Sequence, residues 1–92
     1  KLPYETVKQD YSLEYGKDAV EIHKDAIKPG QKVLLVDDLI ATGGTAQAAT
    51  NVIEKIQGII IGCAFVMELS ELKGKEKLTK YPFFSLMNFE GE

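Results

Sequence analysis

The 92-residue sequence has no tryptophan, three prolines and a single cysteine, Cys63. One cysteine cannot form an internal disulfide, so nothing in the chain requires an oxidising compartment. Cys63 lies within an apolar run, residues 59–66. A thiol in such surroundings is predicted to be buried and unreactive.

The chain also lacks a basic surface and a long hydrophobic segment. Its net charge is −3, and its acidic and basic residues are interspersed. No basic stripe is therefore available to release counterions from a nucleic-acid backbone, so we expect no nucleic-acid partner. The apolar runs are too short to cross a bilayer and no signal-peptide pattern opens the chain, so we expect no membrane association and a cytoplasmic location.

The composition is that of an ordinary globular protein. Hydrophobic residues make up 45% and charged residues 27% of the sequence, which argues against disorder. A chain of this length is at most one domain and lies near the lower limit for a self-sufficient core.

The first 27 residues predict a β-hairpin arm. Two extended runs, residues 5–10 and 19–24, flank a polar and aromatic segment that ends in Gly16, as expected for a long hairpin with a mobile tip. In the second run His23 alternates with Val20 and Ile22, so a surface position is favoured over a catalytic role for this histidine.

The middle of the chain predicts a right-handed strand–helix–strand unit. Residues 32–36 form an unbroken β-branched and leucine run, typical of a parallel strand that is buried on both faces. Apolar residues follow at helical spacing, at positions 46, 49, 53 and 56, with Thr50 on another face and Gly58 as the expected C′ residue. Residues 59–67 predict a second buried strand. In the tail we expect a short polar helix or loop at 73–78 and an edge strand at 83–89 after Pro82.

Two features suited to ligand binding follow the first buried strand. Asp37 and Asp38 fall at its carboxyl end, where open α/β sheets bind ligands. Their carboxylates can accept hydrogen bonds from ribose hydroxyls or hold a divalent cation. The next turn leads into a helix whose first N–H groups and positive dipole favour an anion, and its residues are Ala41, Thr42, Gly43, Gly44 and Thr45. Together the two features predict a sugar-phosphate site.

Simpler and competing interpretations remain. The turn could be an ordinary helix start capped by Thr42 or Thr45, and the acid pair a solvated strand end. The sequence contains neither a P-loop nor a Gly-x-Gly-x-x-Gly fingerprint. A signalling receiver domain also uses an acidic pair, but that pair follows its first strand and no Thr-Gly-Gly-Thr turn accompanies it.

The sequence resembles the type I phosphoribosyltransferases. The stretch that matches their phosphoribosyl-pyrophosphate motif is Val36-Asp37-Asp38-Leu39-Ile40-Ala41-Thr42-Gly43-Gly44-Thr45. Flanking segments are similar to the adenine-specific branch of that family: residues 1–3, 11–16, 21–30, 71–74 and 82–86.

The resemblance implies transfer of a phosphoribosyl group from phosphoribosyl pyrophosphate to adenine, giving AMP and pyrophosphate with Mg²⁺. It implies that Asp37 and Asp38 bind the ribose, directly or through the metal, and that residues 41–45 hold the 5-phosphate. It places Glu14 on a closing loop as the group that exchanges a proton with the purine, with Tyr11 and Tyr15 sealing that loop. A homodimer is also implied. The alternative in the same fold is a regulatory module that binds phosphoribosyl pyrophosphate without catalysis.

The implied fold is a Rossmann-like α/β core with a parallel sheet, of which this chain holds one part. We expect a single partial domain over residues 1–92: the hairpin arm with the catalytic loop at 1–27, the sugar-phosphate site at 32–67 and a C-terminal strand at 78–92. Members of the family are longer, and the expected missing N-terminal half carries the pyrophosphate loop and the adenine-recognising residues. We therefore expect little activity from these residues alone.

Overall fold

A two-stranded antiparallel sheet and a three-stranded parallel sheet flank one helix in the computed structural model, which describes residues 6–13, 16–23 and 25–90. The elements in chain order are β1 (Thr6–Leu13), β2 (Gly16–His23), β3 (Lys32–Ile40), α1 (Gly44–Lys55), β4 (Ile59–Leu69) and β5 (Phe83–Phe89). Two 3₁₀ segments, Ser70–Leu72 and Gly74–Leu78, connect β4 to β5. The α/β class and the parallel sheet expected from the sequence are confirmed.

The hairpin arm is formed by β1 and β2. Thr6 pairs with His23 at the open end, and the pairing continues without a shift to Leu13 and Gly16. The predicted hairpin is therefore confirmed, although both strands reach further toward the tip than expected. His23 is exposed, as its alternation with apolar neighbours predicted.

The parallel sheet has the order β3-β4-β5, so that β4 is central and β5 is an edge strand, as predicted. The register between β3 and β4 shifts between Val33 and Leu34: these residues pair with Ile60 and Gly62, so that Ile61 has no partner on β3. β3 is longer than the predicted run and extends through Asp37 and Asp38.

The expectation that the first parallel strand is buried on both faces is wrong for this chain. Val33 and Leu35 pack against the core, whereas Leu34 and Val36, on the other face, are 51% and 63% exposed. The same open face continues on β5, where Leu86 is 82% exposed. Among the described residues, α1 covers one side of the sheet and no element covers the other, so the continuous apolar run reflects a fold that this chain alone does not complete.

The core lies between the parallel sheet and α1. Its buried members come from β3, β4, the helix and the second 3₁₀ segment: Ile40, Ala46, Ile53, Ile60, Cys63, Phe65 and Leu78. The ring centroids of Phe65 and Phe83 are 5.5 Å apart. Cys63 is fully buried, as predicted, and burial raises the pKa of its thiol.

The helix α1 buries more of its surface than the predicted stripe. Ala48 and Val52 are buried in addition to Ala46 and Ile53, and the helix contacts both hairpin strands as well as the parallel sheet. Thr50, which we expected on an outer face, is 2% exposed. Its hydroxyl donates to the Gln47 carbonyl at 2.8 Å, so burial leaves no polar atom without a partner.

The helix ends one residue before the expected position. Gln57, not Gly58, takes the left-handed C′ conformation, with a φ of 71°. The Gln57 N–H donates to the Glu54 carbonyl and the Gly58 N–H to the Ile53 carbonyl, each at 2.9 Å. These are the two hydrogen bonds of a Schellman motif, with Gly58 at C″.

Candidate functional site

The acid pair lies in the last part of β3, where successive side chains point to opposite faces of the sheet. Asp37 lines a cavity of about 230 Å³ together with Leu39, Ile40 and residues 41–46. Asp38 is not among the lining residues, but its backbone N–H donates to the Asp37 carboxylate at 2.8 Å. The structure thus brings one of the two predicted acids into the same cavity as the predicted turn.

The turn ends in a helix start that no side chain in the described part of the chain caps. The N-cap residue is Gly43, which has a φ of 88° and no side-chain oxygen to offer. The simpler interpretation, in which Thr42 or Thr45 caps the helix, is therefore wrong. The N–H groups of Gly44, Thr45 and Ala46 precede the first residue that can bond back within the helix. This end of α1 is open to an anion at the wall of the cavity.

Two residues that the sequence analysis did not select support the turn from outside the cavity. A β-carbon built on Gly43 would lie 2.5 Å from the carbonyl oxygen of Gly74, so the two glycine backbones are in direct contact. The Lys77 ammonium group donates to the Thr42 carbonyl at 2.7 Å. The sequence offers no signal that would distinguish Lys77 from Lys73 and Lys75, because all three lie in one polar stretch.

A second cavity of about 280 Å³ lies between the hairpin arm and the first turns of α1. It is lined mostly by polar residues, and Gly44 is common to both cavities. The residues that complete its wall are Gln9, Asp10, Gln47, Ala48, Asn51 and Lys77.

A buried carboxylate that the sequence analysis also missed lies near the same edge of the sheet. Glu68 on β4 is 4% exposed. It accepts hydrogen bonds from the Ser85 hydroxyl at 3.2 Å and from the Asn88 amide at 3.4 Å. Since both donors belong to β5, Glu68 acts as a polar link between two strands.

Two residues that the family resemblance places at the site, Glu14 and Tyr15, lie outside the described residues.

Within the residues that the structure describes, no three histidine, cysteine, aspartate or glutamate side chains come close enough to hold a metal ion together. In the same residues, no helix has the length and apolar character needed to span a bilayer.

Comparison with known proteins identifies relatives over the whole chain. The sequence is 54% identical over 92 residues to the adenine phosphoribosyltransferase of Desulfosudis oleivorans. The aligned region covers 100% of this chain and 53% of that protein. The Clostridium perfringens adenine phosphoribosyltransferase is 56% identical over 90 residues, 98% of this chain and 52% of that protein.

The fold matches solved structures of similarly named proteins. The crystal structure of adenine phosphoribosyltransferase from Thermoanaerobacter pseudethanolicus superposes with a TM-score of 0.90 at 49% identity, over 97% of this chain and 52% of that one. The Saccharomyces cerevisiae enzyme, solved with a bisphosphate ligand and adenine, gives a TM-score of 0.87 at 49% identity, over 94% of this chain and 48% of that one.

This chain spans about half the length of the curated relatives it matches. The family model for the phosphoribosyl transferase domain matches residues 3–90, nearly the full sequence. That model, the acid pair at the end of β3 and the open helix start all agree, and the chain belongs to the phosphoribosyl transferase domain family.

Proposed function

We propose that this chain supplies the sugar-phosphate site of an adenine phosphoribosyltransferase. In the reaction, the bond between the ribose C1 and pyrophosphate breaks, a bond from C1 to N9 of adenine forms, N9 loses its proton, and AMP and pyrophosphate leave. The observation that carries the proposal is the cavity shared by Asp37 and the uncapped start of α1. The proposal is also supported by the 54% identity of this chain to an adenine phosphoribosyltransferase.

The 5-phosphate would be held by residues 41–45 and the helix start. Free N–H groups in the first turn and the positive end of the helix dipole both favour an anion. The absence of a side chain at Gly43 allows a phosphate to approach the backbone closely. The hydroxyls of Thr42 and Thr45 are further donors at the rim.

The ribose would be bound by Asp37 and Asp38. The hydrogen bond from the Asp38 N–H fixes one oxygen of Asp37, which leaves the other oxygen to accept from a sugar hydroxyl. As pyrophosphate leaves, positive charge develops on the sugar. The negative charge of these carboxylates would lower the energy of that transition state.

Mg²⁺ is part of the proposal. The described residues offer the acid pair but no group of three ligands, and this suits Mg²⁺, which usually retains waters and takes one or two carboxylates together with substrate phosphates. Asp37 and Asp38 would be its protein ligands, directly or through water. The ion would neutralise charge on the pyrophosphate as it departs.

The remaining roles rest on the family resemblance. Glu14 would exchange a proton with the purine ring, and closure of its loop would remove water and raise the pKa of its carboxyl toward that of a general acid. Tyr15 would help close the site. A homodimer and a cytoplasmic location complete the proposal.

A chimera tests the proposal directly. This chain would replace the stretch that it matches in the Thermoanaerobacter pseudethanolicus enzyme, where the two are 49% identical. With adenine, phosphoribosyl pyrophosphate and Mg²⁺, we expect AMP and pyrophosphate at a rate within about tenfold of the parent enzyme, a loss of about 1.4 kcal/mol at most. A folded chimera that binds phosphoribosyl pyrophosphate but forms no AMP would instead support the regulatory module. Loss of binding as well would overturn the sugar-phosphate assignment.

A further inference from the structure

The second 3₁₀ segment, Gly74–Leu78, lies against the turn of residues 41–45. Leu78 is 1% exposed and belongs to the core cluster, so one end of the segment is anchored. The other end contacts the turn through Gly74. The segment therefore joins the core at one end and the turn at the other.

Gly74 makes this support a direct backbone contact. A β-carbon at Gly74 would lie 2.9 Å from a side-chain carbon of Ile40 and 3.0 Å from the Gly43 nitrogen. Both glycines must therefore lack a side chain for the segment and the turn to approach this closely. The contact fixes the position of the turn but not the direction of its peptide groups.

Lys77 fixes the direction of one such group. Its ammonium group donates to the Thr42 carbonyl at 2.7 Å, a short distance for a charge-assisted hydrogen bond. In a trans peptide the carbonyl and the following N–H point in opposite directions, so Lys77 also sets the direction of the Gly43 N–H. A cation on the carbonyl polarises the peptide and makes that N–H a stronger donor.

Lys77 acts from outside the proposed binding site. It lines the second cavity and is not among the residues around the cavity of Asp37. Lys73 and Lys75 are exposed neighbours, and within residues 6–13, 16–23 and 25–90 no side-chain hydrogen bond or ion pair joins them to another residue. The chain contains no arginine, so no guanidinium group in it can take over this role.

We infer that Gly74 and Lys77 form a brace that orients the Thr42–Gly43 peptide for the 5-phosphate, and that Lys77 is a positioning residue for phosphate binding. This inference rests on the proposed function of the same cavity. It predicts a defect that is confined to ligands carrying a 5-phosphate.

The test uses Lys77→Met, Lys77→Arg and the control Lys75→Met in the chimera described above. We expect Lys77→Met to raise the KM for phosphoribosyl pyrophosphate about fivefold to tenfold, the size expected for the loss of one intramolecular hydrogen bond. kcat and the KM for adenine should stay within about twofold. Lys77→Arg should restore most of the lost affinity because it can donate to the same carbonyl, and Lys75→Met should match the parent chimera.

The alternative explanations give different results. Equal KM values for Lys77→Met and Lys75→Met would overturn the inference. So would an equal loss of affinity for inorganic pyrophosphate and for ribose 5-phosphate, because that result would indicate a general charge effect. A fall in kcat without a change in KM would overturn it as well. If the parent chimera itself does not bind ribose 5-phosphate, the proposed function fails; if only the variants are indistinguishable, the brace alone fails.

Discussion

Gly30 and Gly43 have nearly the same positive φ, 84° and 88°, but of the two only Gly43 lacks room for a side chain among the described residues. A β-carbon on Gly30 would meet no atom of the described residues within 4 Å, whereas one on Gly43 would meet the Gly74 backbone. The same substitution at the two positions therefore separates backbone strain from close packing.

We expect Gly30→Ala to lower the free energy of unfolding by about 1 kcal/mol, the cost of the left-handed conformation alone, and to leave ribose 5-phosphate binding unchanged. Gly43→Ala should cost clearly more and should abolish that binding, because the turn must move away from Gly74. Urea unfolding and isothermal titration measure both effects. Equal behaviour of the two variants would contradict the contact between Gly43 and Gly74.

The acid pair gives a second prediction. Asp37→Asn keeps an oxygen that can accept from the Asp38 N–H but removes the charge that faces the cavity. Asp37→Asn and Asp38→Asn should each lower kcat/KM for phosphoribosyl pyrophosphate by at least about tenfold, or 1.4 kcal/mol. Asp25→Asn, at an exposed turn residue, is the matched control and should have no effect. Full activity of both site variants would exclude these carboxylates from the mechanism.

The proposed role of Glu14 predicts a defect in turnover rather than in binding. Glu14→Gln removes the exchangeable proton, so we expect kcat to fall about 100-fold while the KM for phosphoribosyl pyrophosphate stays within about threefold. Glu71→Gln, at an exposed position, serves as the control. Steady-state kinetics at several pH values measure the effect. A change confined to KM would assign Glu14 to binding.

A contact between α1 and the segment before β5 gives a prediction about pH. The Tyr81 hydroxyl donates to the Glu54 carboxylate at 2.7 Å. This hydrogen bond is the main reason that the pKa of Glu54 lies below its ordinary value of 4.5; Lys80 also lowers the pKa, and burial opposes both. The stabilisation is thus present above the pKa of the unfolded carboxyl and is lost as the pH falls through the lower folded pKa.

Tyr81→Phe should raise the pKa of Glu54 toward its ordinary value, because the largest cause of the shift is removed. The variant should consequently lose less stability than the parent chain when the pH falls through this acidic range. Carbon-13 NMR titration of the Glu54 carboxyl measures the pKa, and thermal unfolding at acidic and neutral pH measures the stability. An unchanged pKa would show that Lys80, not Tyr81, determines the ionisation of Glu54.

The end of α1 offers a stabilising substitution. Gln57 holds a left-handed conformation that glycine adopts at lower cost. We expect Gln57→Gly to raise the free energy of unfolding by about 0.5–1 kcal/mol. Gln47→Gly, within the same helix and also exposed, should lower it by about 1 kcal/mol. If both variants were destabilised to a similar extent, the Schellman motif would not depend on the residue at C′.

The sequence was most informative where one local pattern determines one element. Alternating and continuous apolar runs predicted the hairpin and the parallel strands, and Pro82 marked the start of β5. Helix ends were harder to predict, since glycine at 58 suggested a C′ residue while the chain turns at Gln57. The prediction that β3 is buried on both faces was wrong, because a continuous apolar run gives no information on whether both covering layers are present.

The site was predictable only in part for a related reason. The acid pair and the glycine turn are contiguous, so their proximity could be derived from chain order. The contacts of Gly74 and Lys77 with the turn join residues more than 30 positions apart, with Lys77 35 positions from Thr42. No local pattern in the sequence indicates such contacts. They depend on the tertiary fold, which brings the segment between β4 and β5 against the turn between β3 and α1.

The two ends of α1 are completed in different ways. Its C-terminal end is closed by the protein's own backbone, whereas no described side chain caps its N-terminal end. A bound phosphate would be the missing cap. Ligand binding and the ordering of the first helical turn would then be thermodynamically coupled. Amide hydrogens of that turn should then exchange slowly with solvent only while the ligand is present.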